Sequence, residues 1–231
     1  MRIDRTLEEM SLKLLPLNHL DIDSIPLRCT TKRNQVRLKS LLDFLGAGAL
    51  LVLLAPVCCL VAVFVRLQDG GPAIYKRRVI GPSGEFFAYK FRTMCMDADQ
   101  LLAEDPLLKP AFERNFKLAN DPRVTKLGRF LRKYSLDELP QFFNVLKGQM
   151  SLVGPRMITA AELEKYGAYR DILMTVRPGI TGYWQVNGRQ RVSYEERVRM
   201  DIFYILNWSI WLDLTILANT PLKVLMGHGA Y

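Results

Sequence analysis

Residues 44–65 form a run of 22 without a single charged side chain, and no other feature restricts the chain as much. As one helix the run would be about 33 Å long, enough to cross the hydrocarbon core of a bilayer. It does not read as a secretory signal. It starts late, follows an acidic N-terminus (Asp4, Glu8, Glu9) and leads into Arg66-Leu67-Gln68-Asp69 without a small-residue cleavage site. A buried core helix is the soluble alternative, but 22 uncharged residues exceed what such helices use. Pro56 lies near the middle. It removes a backbone donor and clashes with the preceding turn, and the two halves, each about 15–18 Å, are too short to cross alone. Basic residues stand on both sides: Arg28, Lys32, Arg33, Arg37 and Lys39 before the run, Arg66, Lys76, Arg77 and Arg78 after it. The positive-inside rule finds no asymmetry there. A helical hairpin broken at Pro56, entering the membrane and returning to the cytoplasmic face, satisfies both flanks. A single pass kinked at Pro56 is the alternative.

The chain then divides into a polar leader (1–36), the membrane segment (37–66) and a domain of ordinary size (67–231). Hydrophobic residues make up 49 % of the sequence, which excludes a disordered chain. Thirty-two Lys and Arg against 23 Asp and Glu give a net charge of +9, so anionic partners are expected: phosphorylated substrates, nucleic acid or an anionic membrane face. His19 and His228, both near the ends, are the only histidines, which argues against a His-rich metal site or a His-based triad. Cys29, Cys58, Cys59 and Cys95 form no C-x-x-C pair and read as free thiols in a reducing compartment.

Downstream, residues 73–80 and 85–94 read as two strands around the turn Gly81-Pro82-Ser83-Gly84. Alternation would put Lys90 and Arg92 on one face. Helical periodicity over 96–118 is interrupted at Pro106 and Pro110. Residues 127–134 and 136–146 read as a short helix pair, with Ser135 and Glu138 in capping-box spacing. A short strand at 151–153 runs into the turn Gly154-Pro155-Arg156. A Pro/Gly-rich loop follows at 176–182, then an amphipathic helix at 192–207 and an apolar segment at 208–225 broken by Pro221. The expected class is α+β: mostly helical and membrane-associated, with a small β-hairpin and an N-terminal re-entrant helix-break-helix.

Without histidines, carboxylates are left as acids, bases or nucleophiles. The notable pair is Asp137-Glu138. Neighbours on a helix point about 100° apart, so one carboxylate can face a reacting phosphorus while the other holds a divalent cation. An acid pair complementing a helix N-terminus is the plain alternative. Arg123, Lys126, Arg129, Arg132 and Lys133 crowd the preceding segment, as a phosphate site needing Mg²⁺ would require. Arg156, Arg177 and Arg189 stand in Gly/Pro contexts where backbone N–H groups and guanidinium forks can approach an anion. No Walker A motif is present.

Several motifs in fixed order carry a resemblance. They are Lys90-Phe91-Arg92-Thr93-Met94, Asp121-Pro122-Arg123-Val124-Thr125, Leu127-Gly128-Arg129-Phe130-Leu131-Arg132, Ser135-Leu136-Asp137-Glu138-Leu139-Pro140-Gln141, Asn144-Val145-Leu146-Lys147-Gly148, Ser151-Leu152-Val153-Gly154-Pro155-Arg156 and Pro178-Gly179-Ile180-Thr181-Gly182. From Arg37 onward the chain resembles the bacterial sugar transferases, monotopic polyprenyl-phosphate phosphoglycosyl transferases, and most of all the compact exopolysaccharide galactosyl-1-phosphate transferases. The resemblance implies transfer of a sugar 1-phosphate from a UDP-sugar (galactose first, glucose next, an N-acetylated sugar third) to undecaprenyl phosphate, with release of UMP. It implies a ping-pong scheme with Asp137 as nucleophile and Glu138 as Mg²⁺ ligand. Lys90, Arg92, Arg132, Arg156 and Arg189 match basic residues expected to serve the phosphates, and Asp201 an acid that supports the site. Pro56 matches the break of a re-entrant anchor, which would place the protein at the cytoplasmic face of a bacterial inner membrane. The sequence departs from the family pattern in two places: Met157 follows Gly-Pro-Arg where a second proline is usual, and the first hairpin carries Lys76-Arg77-Arg78 in place of a Gln-x-Arg-x-Gly stretch. A non-catalytic scaffold for a polysaccharide assembly complex is the rival reading. No nucleic-acid motif appears, so no nucleic-acid partner is expected; a homo-oligomer is left open.

Overall fold

The apolar run lies inside one helix, α1 (Arg33–Asp69), of 37 residues, about 55 Å at the usual rise. The structure, a computed structural model, describes residues 33–115, 118, 121–187 and 192–225, all within one compact unit. Most of the leader, both histidines, Cys29 and Arg189 lie outside the described residues. By length and composition α1 is able to cross a membrane. The residues on both sides of Pro56 are helical, and Pro56 lies inside the helix. Losing one donor costs about 3 kcal/mol locally. The Leu- and Ala-rich turns before it favour helix strongly enough to carry the assignment through.

Two stretches of α1 are covered and its middle is bare. Near the start, Asp43 and Ala47 are buried. The Lys39 ammonium donates to Asp213 (2.6 Å) and to the Val153 carbonyl (3.0 Å). Asp43 accepts from the Ser151 hydroxyl (2.7 Å) and the Leu152 amide (3.0 Å), and Arg177 donates to Ser40 (2.7 Å). Near the end, Val61 and Val65 form a core with Phe91 and Leu131, against which Leu127, Leu136 and Leu139 pack. Between them Val52 and Leu53 are 77 % and 71 % exposed.

The expected hairpin is present: β1 (Ile74–Gly81) pairs antiparallel with β2 (Gly84–Phe91), Ile74 opposite Phe91 and Gly81 opposite Gly84. Helices α2 (Ala98–Glu104) and α3 (Leu108–Asn115) follow. Pro110 sits in the first turn of α3, where a missing N–H is not needed, so it does not interrupt the helix. Helix α4 (Lys126–Lys133) is capped by Thr125, whose hydroxyl accepts from the Gly128 amide at 2.9 Å.

Ser135 does not cap the next element. Its backbone is left-handed (φ 53°) and its side chain makes no cap bond. It turns the chain from α4 into a 3₁₀ helix, Leu136–Gln141, and α5 (Phe142–Leu146) continues from there. The capping box does not form: Ser135 takes a left-handed backbone where a cap needs an extended one, and Glu138 is taken by Lys90.

Strand β3 (Ser151–Val153) pairs in parallel with β4 (Gly179–Thr181), so part of the expected 176–182 loop is a strand. The pairing depends on close backbone approach: a Cβ on Gly154 would lie 2.6 Å from the Arg177 carbonyl oxygen. The short helices α6 (Ala160–Leu163), α7 (Arg170–Leu173) and α8 (Tyr183–Asn187) lead to α9 (Tyr194–Leu206) and α10 (Ile210–Leu225). Helix α9 starts at a Ser193–Glu196 capping box. Pro221 lies inside α10 rather than breaking it. Phe203 and Tyr204 belong to the core, whereas Trp211, Leu214, Leu222 and Leu225 are exposed at spacings that share one helical face. The class is therefore α+β, mostly helical, with one long apolar helix.

Gly128 is where α4 crosses the end of β2, and a Cβ there would fall on the Thr93 carbonyl oxygen. Gly128→Ala is expected to destabilise the domain by about 1–3 kcal/mol. Gly48→Ala, whose Cβ would meet Leu146 at an ordinary 3.9 Å, should be close to neutral. Thermal unfolding of both variants in detergent checks the contrast.

Candidate active site

The 3₁₀ helix carries Asp137 and Glu138 as a neighbouring pair, and β2 packs across it. Lys90, near the end of β2, donates to Glu138 Oε1 at 2.6 Å. The placement of β2 rests on Asn144, which is fully buried. Asn144 Nδ2 donates to the Phe87 carbonyl (2.7 Å) and to Gln149 (2.9 Å), and its Oδ1 accepts from the Tyr89 amide (3.0 Å). One side chain thus does the work of a strand neighbour and ties the hairpin to α5, directly after the acidic pair.

The two carboxylates are made different by their surroundings. Burial pushes Asp137 up to about 6; Glu138 adds to the rise, while Lys90 and Arg132 oppose it. At neutral pH it is still mostly ionised. Glu138 is only partly buried; its removal from water would raise it, but the charge and hydrogen bond of Lys90, with Arg156 and Arg77, hold it below the usual carboxylate range. Neighbouring acids driven apart in this way are a recurring mark of assigned chemical roles.

Arg132, at the end of α4, donates its Nε to Thr93 at 2.9 Å; burial lowers its pKa, and Asp137 and Asp121 oppose the shift. Arg156 leaves β3 through the Gly154-Pro155 turn, and its amide donates to Asp201 Oδ1 at 3.2 Å. Met157 is buried. Asp201, on α9, also accepts from the Tyr166 hydroxyl at 2.8 Å. It supports the Arg156 backbone and does not join the acidic pair.

Arg92 is directed elsewhere. It lies just beyond β2, where it grips Asp69 with both Nη atoms and donates its Nε to the Pro72 carbonyl at 2.9 Å. The shared face expected for Lys90 and Arg92 therefore does not bring them to one site: Lys90 meets the 3₁₀ helix and Arg92 the end of α1. Arg189 is outside the described residues.

Arg77 and Glu162 were not singled out by sequence reasoning. Arg77 Nη2 binds buried Glu162 at 3.0 Å, and its charge acts on both Glu138 and Arg156. Strand alternation in Lys76-Arg77-Arg78 was the available signal, since it turns the middle residue to the opposite face from its neighbours. For Glu162 the available signal was the Thr159-x-x-Glu162 spacing of the capping box that starts α6, which says nothing of Arg77.

No group of three or more potential metal ligands converges among the described residues. Mg²⁺ is commonly held by one or two carboxylates together with substrate phosphates and water, and the adjacent carboxylates of buried Asp137 and partly exposed Glu138 fit that pattern.

A model of the family "Bacterial sugar transferase" matches residues 34–227. Over 205 residues the chain is 47 % identical to the undecaprenyl-phosphate galactose phosphotransferase of Salmonella typhimurium, covering 87 % of this chain and 43 % of that protein. Over 194 residues it is 44 % identical to the exopolysaccharide production protein ExoY of Rhizobium meliloti, covering 82 % of this chain and 86 % of ExoY. The UDP-glucose:undecaprenyl-phosphate glucose-1-phosphate transferase of Escherichia coli is 39 % identical over 203 residues, 84 % of this chain and 41 % of that protein. The chain spans about two fifths of the length of the Salmonella and Escherichia relatives.

Asp201 supplies a pH test of the support beneath Arg156. Burial raises it to about 6, against the Tyr166 hydrogen bond and the charge of Arg197. The folded state therefore binds the proton more tightly than the unfolded one, and stability falls as pH rises from about 4 to about 6. The loss is roughly 3 kcal/mol for this group. Asp201→Asn is expected to flatten that part of the stability profile, measured by thermal unfolding between pH 4 and 7 beside the parent protein.

Proposed function

Because the chain belongs to the bacterial sugar transferase family, we propose that it transfers a sugar 1-phosphate from a UDP-sugar to undecaprenyl phosphate and releases UMP. One observation carries the assignment of roles: two adjacent carboxylates, of which the partly exposed Glu138 is held by Lys90 while the buried Asp137 receives no side-chain hydrogen bond among the described residues. Asp137 is the nucleophile. Its carboxylate oxygen forms a bond to the β-phosphorus, and the bond from that phosphorus to the oxygen bridging to UMP breaks. The acceptor phosphate then attacks the phosphosugar-aspartate, forming the lipid diphosphate and freeing the carboxylate. This is a ping-pong scheme with a covalent intermediate. Lys90 and Arg132 keep positive charge beside Asp137, favour its ionised form and attract the substrate diphosphate. Glu138, with the substrate phosphates, would hold Mg²⁺, which when bound neutralises diphosphate charge and stabilises the departing UMP.

A seat at the cytoplasmic face of the inner membrane fits the acceptor, whose phosphate lies at the bilayer surface. Support for a re-entrant α1 comes from its two ends. Lys39 and Asp43 near the start, and Val61 and Val65 near the end, all meet the same domain, while Val52 and Leu53 beside Pro56 are bare. The exposed apolar face of α10 extends the same seat. Galactose is the first choice of sugar, following the names of the Salmonella relative and of the UDP-galactose-lipid carrier transferase of Erwinia amylovora; glucose is second, following the Escherichia relative. The name of ExoY favours a role in exopolysaccharide production, where transfer to the lipid acceptor would be the first step of repeat-unit assembly.

The test is UMP release by the purified protein in detergent with Mg²⁺, undecaprenyl phosphate and a panel of UDP-sugars. One sugar should be preferred, and Asp137→Asn should lower the rate by at least about a thousandfold while the protein stays folded. Equal rates in the variant and the parent would remove the nucleophile assignment. No UMP from any UDP-sugar would favour the scaffold reading.

A further inference from the structure

On the Arg156 side of the acidic pair, the fold gathers donors that the scheme above leaves unused. Arg156 and Arg197 both approach the Trp184 indole, their guanidinium carbons 5.2 and 5.8 Å from the ring centroid. Arg197 also lies 3.9 Å from the centroid of Tyr194. Trp184 is 8 % exposed. Its Nε1, together with Arg156 Nε and Arg197 Nε and Nη2, is buried without a hydrogen-bond acceptor among the described residues. Unpaired buried donors are costly and uncommon in native folds, and here four belong to side chains in mutual contact.

The nearby acids are engaged elsewhere. Glu162 holds Arg77 and closes the α6 cap. Asp201 accepts from the Arg156 amide and the Tyr166 hydroxyl. Three guanidiniums, of Arg77, Arg156 and Arg197, thus stand against two carboxylates. Stacking on aromatic faces fixes the guanidinium planes, and these buried N–H groups are left for an anion to satisfy rather than for a protein acceptor among the described residues. The charge of Arg156 also acts on Glu138, so this cluster borders the acidic pair.

We infer that Arg156, Trp184 and Arg197 form a phosphate-binding subsite in which Arg197 and the Trp184 indole N–H donate to the oxygens of a phosphate ester held beside Asp137 and Glu138. The identity of the ester rests on the transfer reading: it is the nucleotide phosphate of the donor or the lipid phosphate of the acceptor, and the recognition chemistry is the same for both.

Binding is measured on the full chain in detergent, in an Asp137→Asn background that removes turnover, by calorimetric titration of UMP and of inorganic pyrophosphate. Arg197→Gln is expected to weaken binding by about tenfold or more. Arg197→Lys keeps the charge but loses the fork and should fall between. Trp184→Phe keeps a ring, removes the N–H and should weaken binding by about threefold. If UMP affinity holds while the KM for a short-chain polyprenyl phosphate rises about tenfold in the active enzyme carrying Arg197→Gln, the subsite belongs to the acceptor.

Changes below about twofold in all of these, with unfolding temperatures unaltered, overturn the subsite and leave Arg197 as a stacking residue. Should Arg197→Gln fail to fold, Trp184→Phe decides alone. A parent protein that released no UMP from any UDP-sugar would sink the transfer reading, while the pyrophosphate titration would still decide the subsite.

Discussion

Charge carried into the domain by an apolar helix is the constraint on which the rest of this fold depends. Lys39 and Asp43 lie one turn apart on α1, and both are largely removed from water. Burying a charge is affordable only where partners satisfy it. The partners come from distant parts of the chain: Ser151, Leu152 and Val153 of β3, and Asp213 of α10. Asp213 is held in turn by the Tyr204 hydroxyl at 2.7 Å and the Trp208 indole at 3.1 Å. Because β3 runs directly into Gly154-Pro155-Arg156, the same clamp that fixes the helix also fixes the start of the turn that delivers Arg156.

The other end of α1 reaches the site by a different kind of contact. Val61 and Val65 pack with Phe91 and Leu131, and against them lie Leu136 and Leu139, which flank the acidic pair in sequence. The 3₁₀ helix is therefore held from below by α1 and from the side by β2, through Lys90 and the Asn144 bridge. A helix exposed over its middle and covered at both ends thus forms the floor of the site while presenting a bare apolar stretch beside it.

Within the site, like charges are placed close together and only partly paired. Burial lowers the pKa of Arg156, and the charges of Arg197 and Arg77 lower it further. Asp137 and Glu138 are pressed into neighbouring positions where burial alone would raise both. Such crowding works against stability, and folds keep it where bound anions and cations restore the balance. It also explains why the pair diverges: Lys90 can satisfy one carboxylate, and the geometry of consecutive residues leaves the other to the substrate.

Much of this was legible in the sequence, for local reasons. An uncharged run announces itself, and turn chemistry at residues 81–84 specifies a hairpin, because each signal is complete within a few residues. The acidic pair and the Gly-Pro-Arg turn were visible for the same reason. What tertiary structure alone decided were the choices between similar residues. Lys90 reaches Glu138 while Arg92, two positions on, turns to Asp69; Arg77 meets Glu162 across 85 residues; and Ser135, spaced as a cap, becomes a left-handed turn. Pro221 was misjudged for a related reason: it stays inside α10, where the sequence suggested a break. Periodicity and spacing state what a segment can form. The partner each charge finds depends on which distant segment lies against it, and that is set by burial summed over the whole chain.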